Sequence, residues 1–400
     1  MNILIITDTY PPIIRSAGRI MKDLADEFFK NGHSVTVITL IENNKEHNEL
    51  NTDIYYENGV RILRIKTFKL RNVGFIRRGL SEEIMPYLIN IVSLSYFKSE
   101  RFDLIIAYSP PINLYKVISK YKKLSGCKSY LVLRDIHPQT GKDLGIIKNP
   151  FIFNFYRRKE KKLYQISDYI AVQSPANKVF LLDNNDLDES KVDVLYNWKN
   201  TQIELSEPTT NYRQKLGLDE KVICLYGGNM SITQDINELI EIATALQDRK
   251  NVCFLVIGFG AKKEQLICRA NELQLKNTIF HDALPCEEYD LLVKQCDIGL
   301  IHLNKKFKTQ NIPGRLLDYL FAGIPVIASV NQGNDIGQII ESADCGYVCE
   351  SDSISDFQKC LEHLIDNAQD RKRMGKNGKI YLEKNLSSKY AYNKIMDTIK

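Results

Sequence analysis

The chain has no Cys-x-x-Cys pair, no Gly-x-x-x-x-Gly-Lys-Ser/Thr run and no Gly-x-Gly-x-x-Gly fingerprint. These absences argue against a dithiol redox centre, a P-loop ATPase and a Rossmann-type NAD site. Six histidines and nine cysteines form no clustered zinc-ligand pattern, so no metal role is expected. The cysteines read as reduced thiols of a cytoplasmic protein, and Cys224 and Cys253, set in apolar runs, read as small hydrophobes. A long apolar run is also missing. The best membrane candidate, Ile84 to Phe97, is too short to span and carries Asn90. The start, MNILIITDTYPP, lacks a basic leader region and reads as a strand. Net charge is only +5, and without a recognition motif no nucleic-acid partner is expected.

What is present is 400 residues, 44% hydrophobic and 26% charged, enough for two domains. Buried strand-like runs at Ile3–Thr7, Ser34–Thr39, Val60–Ile65, Asp103–Ala107, Tyr130–Leu133, Asp168–Val172 and Val192–Leu195 alternate with helical periodicity. A polar stretch, Lys199 to Thr210, precedes a second such series at Val222–Tyr226, Val252–Ile257, Thr278–Phe280, Asp297–Ile301 and Val326–Ala328. The pattern predicts two α/β domains with parallel sheets, facing each other across a cleft, with ligands at the carboxyl ends of the strands. We place the domains at 1–198 and 199–375, with 376–400 a charged helical segment returning to the first.

The segment QNIPGRLLDYLFAGIPVIAS, Gln310 to Ser329, carries more polarity than a structural element needs. Leu316, Leu317, Leu320 and Phe321 recur at helical spacing, while Arg315 and Asp318 lie one turn apart near the helix start. Gly227-Gly228-Asn229 and Gly258-Phe259-Gly260 each follow a strand and precede a helix, where glycine permits close approach of phosphate to backbone N–H groups.

These motifs, with TDTYPPIIRSAG, LRDIHPQTGKDLG, VLYNWKN, LYGGNMSITQDI, LVIGFG and DIGLIHL in that order, resemble the retaining glycosyltransferases of family 4. Within it the chain is similar to bacterial N-acetyl-L-fucosamine transferases of surface-polysaccharide synthesis. The resemblance implies a GT-B fold of two Rossmann-like domains, a UDP-sugar donor and no catalytic metal. It further implies a polyprenyl-diphosphate-linked saccharide acceptor in O-antigen or capsule synthesis. The family's two glutamates, separated by seven residues, correspond to Gln310 and Asp318. Asp318 would accept hydrogen bonds from the ribose, and Gln310 would touch the transferred sugar without supplying charge. The family's Arg/Lys diphosphate clamp falls on Asn229 and Gln234, which leaves Arg315 as the substitute, with Asn229 and Ser231 as neutral donors. Lys305, Lys306 and Lys308 are alternatives. Donor contacts are also implied at Ala17, Gly18, Gly228, Gly258, Gly260, Ile312, Pro313, Gly314 and Leu316. Asp135, His137, Gln310 and Arg315 are the candidate catalytic residues.

Two basic clusters stand out: seven cations from Arg61 to Arg78 with no acid between them, and Arg157, Arg158, Lys159, Lys161 and Lys162 around Glu160. They suit peripheral contact with the inner face of the cell membrane. Asp186 and Asp188 lie in a polar turn and are not expected to bind metal. Two other readings stay open. One is a UDP-sugar 2-epimerase, hydrolysing or not, which needs no acceptor; the other is a nucleotide-sugar-binding partner without turnover, for which Asn229, Gln234 and Gln310 speak.

Overall fold

The computed structural model describes residues 1–13, 15–42, 50–69, 73–203, 210–231, 234, 236–304, 312–331, 334–351 and 353–400. It divides into two compact units, 1–198 with 388–400, and 199–387.

The first unit holds an eight-stranded sheet: β1 (Asn2–Ile6), β2 (Ser34–Glu42), β3 (Asp53–Glu57), β4 (Val60–Thr67), β5 (Leu104–Ser109), β6 (Lys128–Leu133), β7 (Tyr169–Val172) and β8 (Val192–Val194), in the order β3-β4-β2-β1-β5-β6-β7-β8. Central β1 is buried on both sides. Ile3 and Ile5 join one core while Leu4 and Ile6 join the other, which is why the strand reads as an unbroken apolar run. The β3–β4 pair is antiparallel, an exception to the all-parallel reading. Its turn, Asn58-Gly59, has positive φ at both positions (50° and 85°), the requirement of a two-residue hairpin turn.

The second unit holds six parallel strands: β9 (Val222–Asn229), β10 (Val252–Phe259), β11 (Thr278–His281), β12 (Ile298–His302), β13 (Val326–Val330) and β14 (Gly346–Glu350), ordered β11-β10-β9-β12-β13-β14. Cys224 and Tyr226 on β9 pack into a core with Ile236, Leu239, Ile240 and Ala243 of the helix Ile236–Ala245.

The C-terminal segment corrects the expected boundary at 376. The helix Ala368–Asn385 packs on the helix Arg315–Ala322, close enough that a Cβ on Gly375 would lie 1.8 Å from the Gly323 carbonyl oxygen. This backbone contact holds it in the second unit. Only Ser388–Ile399 returns to the first unit, where Ala391 and Ile395 are buried beside Phe28, Ser388 Oγ donates to Glu27 at 3.1 Å, and Tyr392 meets His33 at 3.0 Å. Trp198 is buried in the same core and donates from Nε1 to the Ile20 carbonyl at 2.8 Å.

Candidate functional site

Strand order in the second unit reverses between β9 and β12, and ligands of such sheets bind beyond the carboxyl ends at that point. The Gly227-Gly228-Asn229 end of β9 lies there. Arg315, the first residue of its helix, is 8% exposed, and its guanidinium stacks 4.1 Å from the centre of the Tyr226 ring. It also flanks Gly228, where a Cβ would stand 3.5 Å from Nη2. Nη1 has no hydrogen-bond partner among the described residues. Desolvation opposes the buried charge, but the phenols of Tyr226 and Tyr319 outweigh it and hold the guanidinium above its ordinary value.

Three tyrosines support this loop. Tyr226 donates to the Asn229 carbonyl at 3.0 Å. The buried Tyr319 hydroxyl accepts from the Gly227 N–H at 3.1 Å and lies 3.0 Å from the Leu225 carbonyl, to which it donates. The Tyr289 hydroxyl fills the space a Gly227 side chain would need. Pattern reading missed all three, because aromatic residues at strand and helix spacing look like ordinary core.

Gly258 and Gly260 serve the loop from behind. A Cβ on Gly258 would lie 1.9 Å from the Gly228 carbonyl oxygen, and one on Gly260 would lie 2.3 Å from that of Met230. Met230 N–H donates to the Phe259 carbonyl at 2.7 Å. Their missing side chains thus let two backbone segments touch. Asn229 is exposed, and Ser231 accepts at its carbonyl from the Gln234 N–H at 3.1 Å. Ile312 and Pro313 are buried, Gly314 precedes the helix, and the Pro313 carbonyl accepts from the Leu316 N–H at 3.1 Å.

Asp318 is not paired with Arg315. Lys199 Nζ donates to Asp318 Oδ1 at 2.7 Å and to Asp290 Oδ1 at 2.9 Å. Gln310, Lys305, Lys306 and Lys308 lie outside the described residues.

In the first unit, Arg134-Asp135 follows directly on β6. Arg134 is 4% exposed, lies 5.2 Å from the Trp198 ring centre, and has Nε and Nη2 unpartnered among the described residues. Burial pushes its pKa down to about 10. Solvent reaches Asp135, yet the protein crowded around it raises its carboxyl, against the pull of Arg134. His137 is half-buried, edge-on to Tyr156 at 5.3 Å, and burial lowers its pKa. Ala17 and Gly18 begin the helix Ser16–Lys30, and a Cβ on Gly18 would lie 3.1 Å from Tyr10 Cα. That contact sets the helix tightly against the loop after β1.

Asp188 accepts from the Ser190 N–H at 2.9 Å as the cap of a short turn. Among the described residues no group of three or more His, Cys, Asp or Glu side chains could hold a metal ion.

The family model for glycosyl transferases group 1 matches residues 208–381. The chain is a glycosyltransferase of the GT-B fold. This glycosyltransferase is 20% identical over 295 residues to the probable glycosyltransferase WbjE of Pseudomonas aeruginosa, covering 73% of the chain and 72% of the relative. It is 29% identical over 141 residues, 34% of each chain, to the putative colanic acid biosynthesis glycosyl transferase WcaI of Escherichia coli. Among solved structures, Anabaena Alr3699/HepE in complex with UDP-glucose superposes with a TM-score of 0.69 at 15% identity, over 100% of this chain and 99% of that one. The likeness extends to the fold.

Proposed function

We propose that this glycosyltransferase transfers an N-acetylated hexosamine, 6-deoxy forms included, from a UDP-sugar to a polyprenyl-diphosphate-linked saccharide, with retention of configuration, in surface-polysaccharide synthesis. The carrying observation is Arg315, a buried guanidinium with an unpartnered Nη1, stacked on Tyr226 and lying against Gly228. A buried unpaired donor is costly, and an oxyanion at the Gly228 turn relieves that cost. Charge develops on the departing diphosphate during transfer, so a preorganised cation there stabilises the transition state. The UDP donor is supported by the UDP-glucose complex of the similar HepE structure, and the polysaccharide setting by the name of WcaI.

A lipid-linked acceptor brings the first unit to the inner face of the membrane. Leu80, Ile84, Tyr87 and Ile91 are exposed at one-face spacing on the helix Phe75–Phe97, near exposed Arg77 and Arg78. Phe151 and Phe155 are exposed on the helix Pro150–Ile166, which also carries exposed Arg158, Lys161 and Lys162.

The test incubates purified protein with a panel of nucleotide sugars and lipid-linked acceptors. A UDP-N-acetylhexosamine should be consumed only when acceptor is present, with the anomeric configuration kept and with turnover surviving EDTA. Arg315→Ala should lower kcat/KM by roughly 10²-fold or more. Epimerised nucleotide sugar without acceptor, or strict metal dependence, would overturn the reading.

A further inference from the structure

Lys199 is the first residue of the second unit, yet its side chain is 2% exposed, inside a cluster of two carboxylates. Its ammonium bonds Asp290 on the helix Cys286–Val293 and Asp318 on the helix Arg315–Ala322. The same ammonium lies 4.9 Å from the ring centre of Phe321, one turn along from Asp318 on the same helix face. The backbone is fixed as well. The Lys199 N–H donates to the Leu386 carbonyl at 3.0 Å, and the residue bridges to Ser387. Asp290 is as buried as Lys199, whereas the Asp318 side chain is 19% exposed. Asp318 is therefore the member of the cluster that faces outward.

A buried ammonium costs several kcal/mol of desolvation unless well paired, and this one is placed where it restrains the carboxylate next to the Arg315 turn. We propose that Lys199, anchored by Asp290, is a positioning residue that locks the Asp318 carboxylate in the rotamer that reads the ribose hydroxyls of the donor nucleotide. The inference rests on Asp318 as the ribose ligand. Aspartate is one methylene shorter than the glutamate of related enzymes, so its reach is set at the backbone and its direction by what grips it. Lys199 grips it.

Calorimetric titration of the intact protein with UDP and with 2′,3′-dideoxy-UDP tests this. Wild type should prefer UDP on the order of tenfold or more, the worth of a hydrogen bond to a charged group, and Asp318→Ala should lose that preference. Lys199→Met, with Asp318 intact, should bring the preference to within about threefold. General destabilisation would weaken both nucleotides alike and leave the ratio unchanged. Should Lys199→Met fail to fold, Lys199→Arg keeps the buried charge but moves its donors, and it should lower the same ratio. If Asp318→Ala abolishes the preference while a folded Lys199 variant keeps it in full, the positioning role is overturned and the ribose reading stands. If wild type shows no preference, or Asp318→Ala retains it, the ribose reading itself fails and takes the role of Lys199 with it.

Discussion

Arg315 and Arg134 are each buried at the end of an element, each stacked on an aromatic ring, and each left with at least one unpartnered nitrogen among the described residues. Arginine keeps its charge in such settings, so the unmet hydrogen-bonding demand persists. His137 behaves oppositely. Burial lowers its pKa, so on acidification the unfolded chain, with a pKa of about 6.5, takes up a proton before the folded protein does. Between those two values the unfolded state binds more protons, and stability rises with pH. Urea titrations from pH 5 to 7.5 should show a flatter pH dependence for His137→Gln than for wild type below about pH 6.5. Equal slopes would show that His137 does not titrate differently on folding. Arg315 and Asp318 were legible from their place in one motif. Lys199 was not: it sits in a polar connector 119 positions from Asp318, and only folding joins them.

At the level of elements, the two basic clusters change character. Arg61 pairs with Glu100 and Arg64 with Glu57, while Lys159 is buried against Glu83 and Arg157 bonds Glu160. Much of that charge is spent inside the first unit. What the helix Phe75–Phe97 does present is an apolar ladder, with Ile91 73% and Ile84 49% exposed. No described helix is long and apolar enough to cross a membrane, so such a ladder would lie along a surface. Ile84→Glu combined with Ile91→Glu should reduce co-sedimentation with anionic phospholipid vesicles by roughly tenfold or more. Because both positions are exposed, unfolding stability should move by no more than about 0.5 kcal/mol per site. Unchanged sedimentation would remove this helix from any membrane contact. The sequence marks Ile84 to Phe97 as a short apolar stretch, but which of its residues face outward is hard to see there, since buried Met85 and Ile89 interleave with the exposed ones.

For the whole molecule, the C-terminal helix Ser388–Ile399 is part of the first unit although it follows the second. The chain has a single tryptophan, and Trp198 lies in the core that this helix completes. Its fluorescence therefore reports on the first unit. Removing 388–400 should lower the stability read by Trp198 by at least about 3 kcal/mol, given the buried Ile395 and Ala391 it takes away. An unshifted transition would show that the first unit folds without it. Local patterning was enough to determine the two α/β series and most strands, because burial on both faces imposes continuous apolar runs that survive in one dimension. It also determined which loops carry glycine and which helix carries Arg315 and Asp318. Tertiary structure alone decided that Gly258 and Gly260 make room for backbone, that Tyr226 carries Arg315, that Lys199 holds Asp318, and that the return to the first unit starts at Ser388. Each of these depends on atoms brought together across long stretches of chain, and neither propensity nor periodicity encodes such a contact.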